Sequence, residues 1–354
     1  MYVVASEVDS RGDNTRASIS IYQYAFSSPS YPTIVSQTRA NGTPIPWSAL
    51  SGLAAEIRQP NSTILYAVED SFYKKSRIFT IDTSTFPARL TNELRLKDTL
   101  NLLKNSTDFG SKLVNADGTV NLDMEGIAVS KNGGFWVASE GAGTVGDPAA
   151  NVTSYNYLIK VATDGVIQEV VLLPTVVNAL QLRFGFEGCA EGSGAFANKV
   201  VVAFQRAWKN ESNPRLGAYD QVTGEWTFYY YPLDAVISQN GGWVGLSDIA
   251  PLGNGGEFLV LERDNMGGPD AVVKRIYKID LGNHIPNETV TKSLFQDIYP
   301  VFANQKGLVV EKVEGLTVDG TGAVWVVNDN DGVDRNNGET LLLKVQSSSF
   351  RPQF

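Results

Sequence analysis

The stretch DMEGIAVSKNGGFWVASE at residues 123–140 returns almost position for position as KVEGLTVDGTGAVWVVND at residues 312–329. Each copy reads as an acidic residue followed by Gly, a short apolar strand, a turn, and an aromatic-aliphatic strand ending in polar residues. Asn132-Gly133 in the first copy has hairpin-turn chemistry. Between the two lie FEGCAEGSGAFANKVVVAFQR (residues 186–206) and GLSDIAPLGNGGEFLVLERDN (residues 245–265), and LSGLAAEIRQPNSTILYAVED (residues 50–70) precedes them. A third strand follows after a polar loop, as in RIFTID (77–82), YLIKV (157–161), LGAYD (216–220) and RIYKID (275–280). A fourth is legible in QEVVLL (168–173) and WTFYYYPL (226–233). Four antiparallel strands, repeated, are the mark of a β-propeller.

The termini set the blade count. MYVVASE (1–7) and SISIYQYAF (18–26) read as second and third strands of a further unit, with a fourth near residues 33–38. The last unit stops after its third strand, at residues 341–345. The expectation is therefore an all-β, six-bladed propeller of four-stranded antiparallel blades in a single domain, 1–354. Its terminal blade is incomplete, residues 1–49 form a partial first blade, and one outer and one inner strand are expected upstream. Five blades plus an appended hairpin is the alternative. A short helix near residues 45–50 is the one helical expectation.

Composition narrows the function. With 43% hydrophobic and 19% charged residues, the chain has the makings of a large core. A formal net charge of −9 argues against nucleic acid and anionic membrane surfaces, which need a basic footprint. The single Cys189 excludes an intrachain disulfide and cysteine-rich zinc sites. The single His284, read as lying in a turn between outer strands, excludes multi-histidine metal sites and leaves only a carboxylate as base for Ser51 or Ser247, which disfavours serine catalysis. Neither a signal peptide nor a membrane span is visible.

Aligning the units produces two columns. Ser51, Glu125, Glu187, Ser247 and Glu314 stand at the start of the first strands, followed by Gly52, Gly126, Gly188, Asp248 and Gly315. At the ends of the second strands stand the pairs Ser6-Glu7, Glu69-Asp70, Ser139-Glu140, Gln205-Arg206, Glu262-Arg263 and Asn328-Asp329. Neighbouring antiparallel strands put both columns on one rim. Since first strands line a propeller's channel, carboxylates gather at one mouth of it. Such crowding needs a cation, and oxygen-only ligands select Ca²⁺, or Mg²⁺ or another hard divalent ion. The competing reading is blade packing, with the acids capping backbone amides and Gly permitting close approach. Candidate metal ligands are Glu125, Glu187, Glu314, Asp248, Glu140 and Asp329. Arg206 and Arg263 interrupt the acidic column, either to pair with rim acids or to clamp a phosphate or carboxylate. Residues 141–155 and 264–271 are Gly-rich loops long enough to reach over the mouth. DNDGVD (329–334) has a calcium-loop composition without EF-hand spacing.

The phrases LSGLA, DMEGIAV, GLSDIAPLGNGGEFLVLERDN and KVEGLTV with VVNDND resemble the phytase-like family named for esterase-like activity, over residues 50–345. The resemblance implies an exported protein, secreted or periplasmic, with a propeller fold and a phosphoesterase role. It puts Glu125, Glu187 and Glu314 on the family's Glu-Gly positions, and Asp248, Glu262, Arg263 and Asp264 on its LSD and LERD motifs. Together these readings describe a divalent-cation-dependent hydrolase in which Glu187, Glu262, Arg206 and Arg263 serve catalysis on a small-molecule substrate, in a monomer. A calcium-stabilised binding propeller and a calcium-dependent lactonase or carboxylesterase are the alternatives.

Overall fold

The computed structural model describes residues 2–6, 18–22, 31–59, 61–253, 255–305, 308–331 and 339–346. The first two strands, β1 (Tyr2–Ser6) and β2 (Ser18–Tyr22), form a hairpin that joins none of the other sheets. Blade 1 holds β3 (Ile34–Ser36), β4 (Leu50–Ala55), β5 (Ile64–Glu69), β6 (Arg77–Asp82) and β7 (Ala88–Arg95). Blade 2 holds β8 (Met124–Val129), β9 (Phe135–Ser139), β10 (Tyr157–Val161) and β11 (Ile167–Leu172). Blade 3 is β12 (Phe186–Glu191), β13 (Lys199–Phe204), β14 (Arg215–Asp220) and β15 (Trp226–Tyr230). Blade 4 is β16 (Val244–Pro251), β17 (Glu257–Asp264), β18 (Lys274–Asp280) and β19 (Lys292–Asp297). Blade 5 has β20 (Val313–Val318), β21 (Val324–Asn328) and β22 (Leu342–Gln346).

The propeller has five blades, not the six expected, and its sheets carry three to five strands instead of a uniform four. The reason is in the inner strands. β4 packs on β8, β8 on β12, β12 on β16, β16 on β20, and β20 back on β4, so five inner strands close the ring. The hairpin adds no inner strand to it. β3, read as the outer strand of a sixth blade, runs parallel to β7 at the edge of blade 1. Thr33 fastens this edge to blade 5 by donating to Thr340 O and accepting from Leu342 N at 2.9 Å. The helix expected near residues 45–50 is absent: Pro44 and Pro46 hold the chain out of the α region, and Ala49 has φ 48° before β4 begins.

Apolar residues of adjacent blades fill the five interfaces between them, which is where the core sits. At the hub the glycine column explains the tight ring. A Cβ on Gly126 would lie 2.4 Å from Glu187 O and 2.6 Å from Cys189 N, and one on Gly52 would lie 2.8 Å from Glu125 O. Asp248 replaces glycine at this level in blade 4, and its carboxylate accepts from Ile249 N, Leu316 N and Leu53 N at 2.8, 2.7 and 3.4 Å. It therefore ties β16 to β20 and β4 across the channel. Beyond it the channel is a sliver of about 20 Å³ lined by residues such as Leu53, Ile127, Cys189 and Thr317. That is room for no more than a water.

Candidate metal centre

Each inner strand carries a β-bulge at its channel entrance. The extra residue is Ser51 in β4, Glu125 in β8, Ser247 in β16 and Glu314 in β20, and it falls within Glu187-Gly188 in β12. A bulge breaks the in–out alternation and re-aims a side chain. Local sequence sets it up in four blades, where Gly52, Gly126, Gly188 and Gly315 stand at the bulge; in blade 4 Asp248 takes that place.

The second column divides. Of the first members, Glu69 and Glu262 turn into the blade body, onto Arg77 and Lys292, whereas Gln205 reaches Glu187. Of the second members, Glu140, Asp70 and Asp329 join acidic groups and Arg263 pairs with Glu314. In this column blades 5, 1 and 2 contribute acids and blades 3 and 4 arginines, while blade 3 adds the carboxylate of Glu187 and Arg263 of blade 4 pairs with Glu314 of blade 5.

On the acidic side, Asp123, Glu125 and Glu140 bring one oxygen each within 4.8 Å of one another, and so do Asp70, Asp329 and Asp331. Burial raises the Glu125 carboxyl well above its ordinary value, and the charges of Glu187, Asp123, Glu314 and Glu140 add to the shift. Glu187 is raised for the same reasons, against the pull of Arg263; one of its oxygens accepts from Gln205 Nε2 at 2.6 Å. Glu140 is pushed up to about 7 by burial and Asp123, although Gly185 N donates to it at 2.5 Å. Asp329 is raised by burial and by Glu314, against Lys312, whose Nζ lies 3.1 Å away. Asp329 Oδ1 is buried without a hydrogen-bond partner, as is Ser51 Oγ. Unpaired buried oxygen among crowded carboxylates is costly, and a hard cation removes both penalties. The oxygen-only donor set thus fits Ca²⁺ or Mg²⁺.

Arg263 is committed to this array: its Nη2 donates to Glu314 at 2.6 Å and its Nε to Ser247 Oγ at 3.1 Å. Arg206 lies 5.3 Å from the Phe184 ring centroid and 5.1 Å from that of Trp243. Glu262 turns away, into a buried network with Lys292 Nζ (2.7 Å) and the Asp234 amide (2.6 Å). Asp264 does likewise with Lys274, whose Nζ burial lowers to about 8. Asp248 spends its carboxylate on backbone amides. Cys189 is a buried thiol raised by burial, and His284 sits in the turn between β18 and β19 with Thr291 and Glu288. Glu7 and residues 332–334 of the DNDGVD stretch lie outside the described residues.

A cavity of about 170 Å³ opens beside the first acidic group, lined by Asp123, Glu140, Lys74, Asn121, Ser154 and Tyr157 among others. The loop 141–155 contributes Ala142 and Ser154 to its wall, in keeping with a loop that reaches the mouth. The columns did not single out Asp123, Asp331, Arg183, Phe184 or Trp243. Asp123 stands two residues before Glu125, on the near side of the bulge, and its position relative to Glu-Gly was the available signal. Arg183, Phe184 and Trp243 sit in the approaches to β12 and β16, where no repeat points to them.

The fold and the site define a five-bladed β-propeller with clusters of acidic residues that could coordinate a divalent cation. The profile of the family described as "Phytase-like: Esterase-like activity of phytase" matches residues 45–332, and the chain belongs to that family. No curated protein matches the sequence. Among solved structures, a luciferin-regenerating enzyme is similar at 10% identity and TM-score 0.41, over 85% of this chain and 78% of that one. The Malassezia sympodialis allergen Mala s 1 is similar at 12% identity and TM-score 0.41, over 95% and 84%. A glucose dehydrogenase follows at 12% identity and TM-score 0.37, over 85% and 83%. The family assignment and the acidic clusters support a general hydrolase function.

Proposed function

We propose that the protein is a divalent-cation-dependent hydrolase of phosphoesters that works at the acidic mouth. The observation that supports this most is the crowding of Asp123, Glu125 and Glu140 beside a cavity of about 170 Å³, with oxygens mutually within 4.8 Å. These three would hold the ion, Ca²⁺ or else Mg²⁺, with Glu314 and Asp329 as further ligands. When bound, such an ion supplies Lewis acidity at an ester oxygen and cancels the repulsion among the acids. Glu187 keeps one oxygen on Gln205 Nε2 and has the other for the proton of an attacking water. Arg263 orients Glu314, and Arg206 faces developing negative charge. The rest of a small-molecule substrate fits the cavity over blade 2. We also take the protein to be an exported monomer, secreted or periplasmic, as the family and the acidic, cysteine-poor composition favour.

Chelator-stripped protein should not turn over p-nitrophenyl phosphate, and Ca²⁺ or Mg²⁺ should restore turnover. Turnover that persists in excess EDTA would sink the proposal. A second reading, a calcium-stabilised binding propeller, is supported by the Asp70, Asp329 and Asp331 group, which lies where blade 5 meets blade 1. Calcium that raises the melting temperature without turnover on phosphoester or lactone panels would favour it. Turnover of lactones alone would move the reading to a lactonase or carboxylesterase.

A further inference from the structure

The surface loops carry a motif that neither the ring nor the mouth uses. The triplet Asn-X-Ser/Thr, with X other than Pro, starts at Asn41, Asn61, Asn105, Asn151, Asn210 and Asn287. All six asparagines are exposed and lie outside the strands. Exposure is not the default for asparagine in this chain: Asn156, Asn328 and Asn330 are buried, and Asn121, Asn178 and Asn265 are half-buried.

The fold itself accounts for the triplets at Asn41, Asn61 and Asn105. Thr43 Oγ1 donates to Asn41 Oδ1 at 2.7 Å and closes its own turn. Thr63 Oγ1 donates to Asp82 Oδ1 at 3.1 Å. Thr107 Oγ1 meets Tyr157 Oη at 2.8 Å and accepts from the amides of Phe109 and Gly110. The triplets at Asn151, Asn210 and Asn287 have no such use. Thr153, Ser212 and Thr289 are exposed, and their hydroxyls make no hydrogen bond among the described residues. Turn geometry explains two of the asparagines, since Asn210 and Asn287 stand at φ 65° and 68°, where asparagine is tolerated better than most residues. It does not ask for a hydroxyl two residues later. Asn151 Nδ2 reaches Pro148 O only at 3.4 Å. Asn151 lies between β9 and β10 and Asn210 between β13 and β14, both on the mouth side, and Asn287 lies between β18 and β19 on the opposite side. None of the three lines the cavity of about 170 Å³, so a group attached to them leaves it open.

We propose that Asn151, Asn210 and Asn287 are N-glycosylation sites. The donor is an oligosaccharide carried on a polyprenyl pyrophosphate. Asparagine Nδ2 attacks C1 of the first sugar: a C1–N bond forms, the C1–O bond breaks, the amide nitrogen gives up one proton, and the lipid pyrophosphate leaves with the electron pair. The hydroxyl two residues on completes the acceptor motif, which gives Thr153, Ser212 and Thr289 the role that the fold does not. A bulky, polar modification needs a surface position, and all three supply one. The single thiol, Cys189, is buried, so passage through an oxidising compartment leaves it unpaired. This rests on the exported reading and narrows it to a secretory route that meets a lipid-linked oligosaccharide.

The test is mass spectrometry of the full chain isolated from its own cells and, separately, from the exported fraction, before and after peptide N-glycosidase. That enzyme converts a glycosylated asparagine to aspartate, so peptide maps of exported protein should show the conversion at positions 151, 210 and 287. Thr153→Ala, Ser212→Ala and Thr289→Ala, made through the same route, should each lose one glycan while leaving the asparagine and its turn in place. Ser212→Thr should keep its glycan, and Asn240→Gln, exposed but outside the motif, should change nothing. Exported protein with all three asparagines unmodified would overturn the sites and keep the exported reading. Protein found only inside the cell, without glycan, would overturn both. Glycan retained at Asn210 in Ser212→Ala, or at Asn287 in Thr289→Ala, would show that the triplet is not what is read and would also overturn the sites.

Discussion

At the residue scale, the mouth stores electrostatic repulsion that a cation would release. Glu140 is raised from 4.5 to about 7, and Glu125 and Glu187 shift in the same direction. A carboxyl whose folded pKa exceeds its unfolded value binds more protons in the folded state across that window. Its stabilisation is full below the unfolded value and is lost as pH rises through the folded one. Chelated protein should therefore lose stability from about pH 4.5 to about pH 7, and saturating Ca²⁺ should flatten or reverse the trend. Urea midpoints at about pH 5 and about pH 8, in EDTA and in Ca²⁺, measure this. An EDTA profile that rises with pH would contradict the crowding. Asp248 is a different kind of acid. It is also raised by burial, but backbone amides hold it and it belongs to the ring rather than to the ion.

At the scale of elements, inner strands are separated by backbone contact instead of side chains. Gly126 has Glu187 O, Cys189 N and the Gly188 carbonyl carbon within 2.7 Å of where a Cβ would stand. None of these is a flexible side-chain end. Gly126→Ala should destabilise at the upper end of the ~1–3 kcal/mol typical of overpacking, or beyond it. Chemical denaturation would show this against Gly118→Ala, which meets nothing within 4 Å and costs only its left-handed φ of 79°. Equal losses would mean that the hub can dilate. Bulges at the same level explain why Glu and Gly travel together in blades 2, 3 and 5, where the bulge carries the acid and glycine lets the neighbouring inner strand approach.

At the scale of the whole molecule, five inner strands complete the ring, and the hairpin of β1 and β2 stands outside the five sheets. Deleting residues 1–22 should leave a single cooperative thermal transition close to that of the full chain, followed by calorimetry. Loss of cooperativity would show that the hairpin is part of the closure. The acidic mouth is also a whole-molecule property, since the group of Asp70, Asp329 and Asp331 needs blade 5 to return to blade 1.

Much was legible in the chain alone, because it depends on local pattern. The repeat unit, most third strands, the glycine column and the gathering of Glu125, Glu187, Glu314, Glu140 and Asp329 at one rim follow from strand alternation and antiparallel pairing. The tertiary structure decided what depends on distance around the ring. Blade number is set by how closely inner strands approach, and the sequence of any one unit is compatible with five or six. Whether Glu262 faces the mouth or Lys292 depends on one-residue alternation at a strand end, where bulges shift the phase. Phe184 and Trp243 come from loops outside the repeat, so only the folded ring brings them to Arg206.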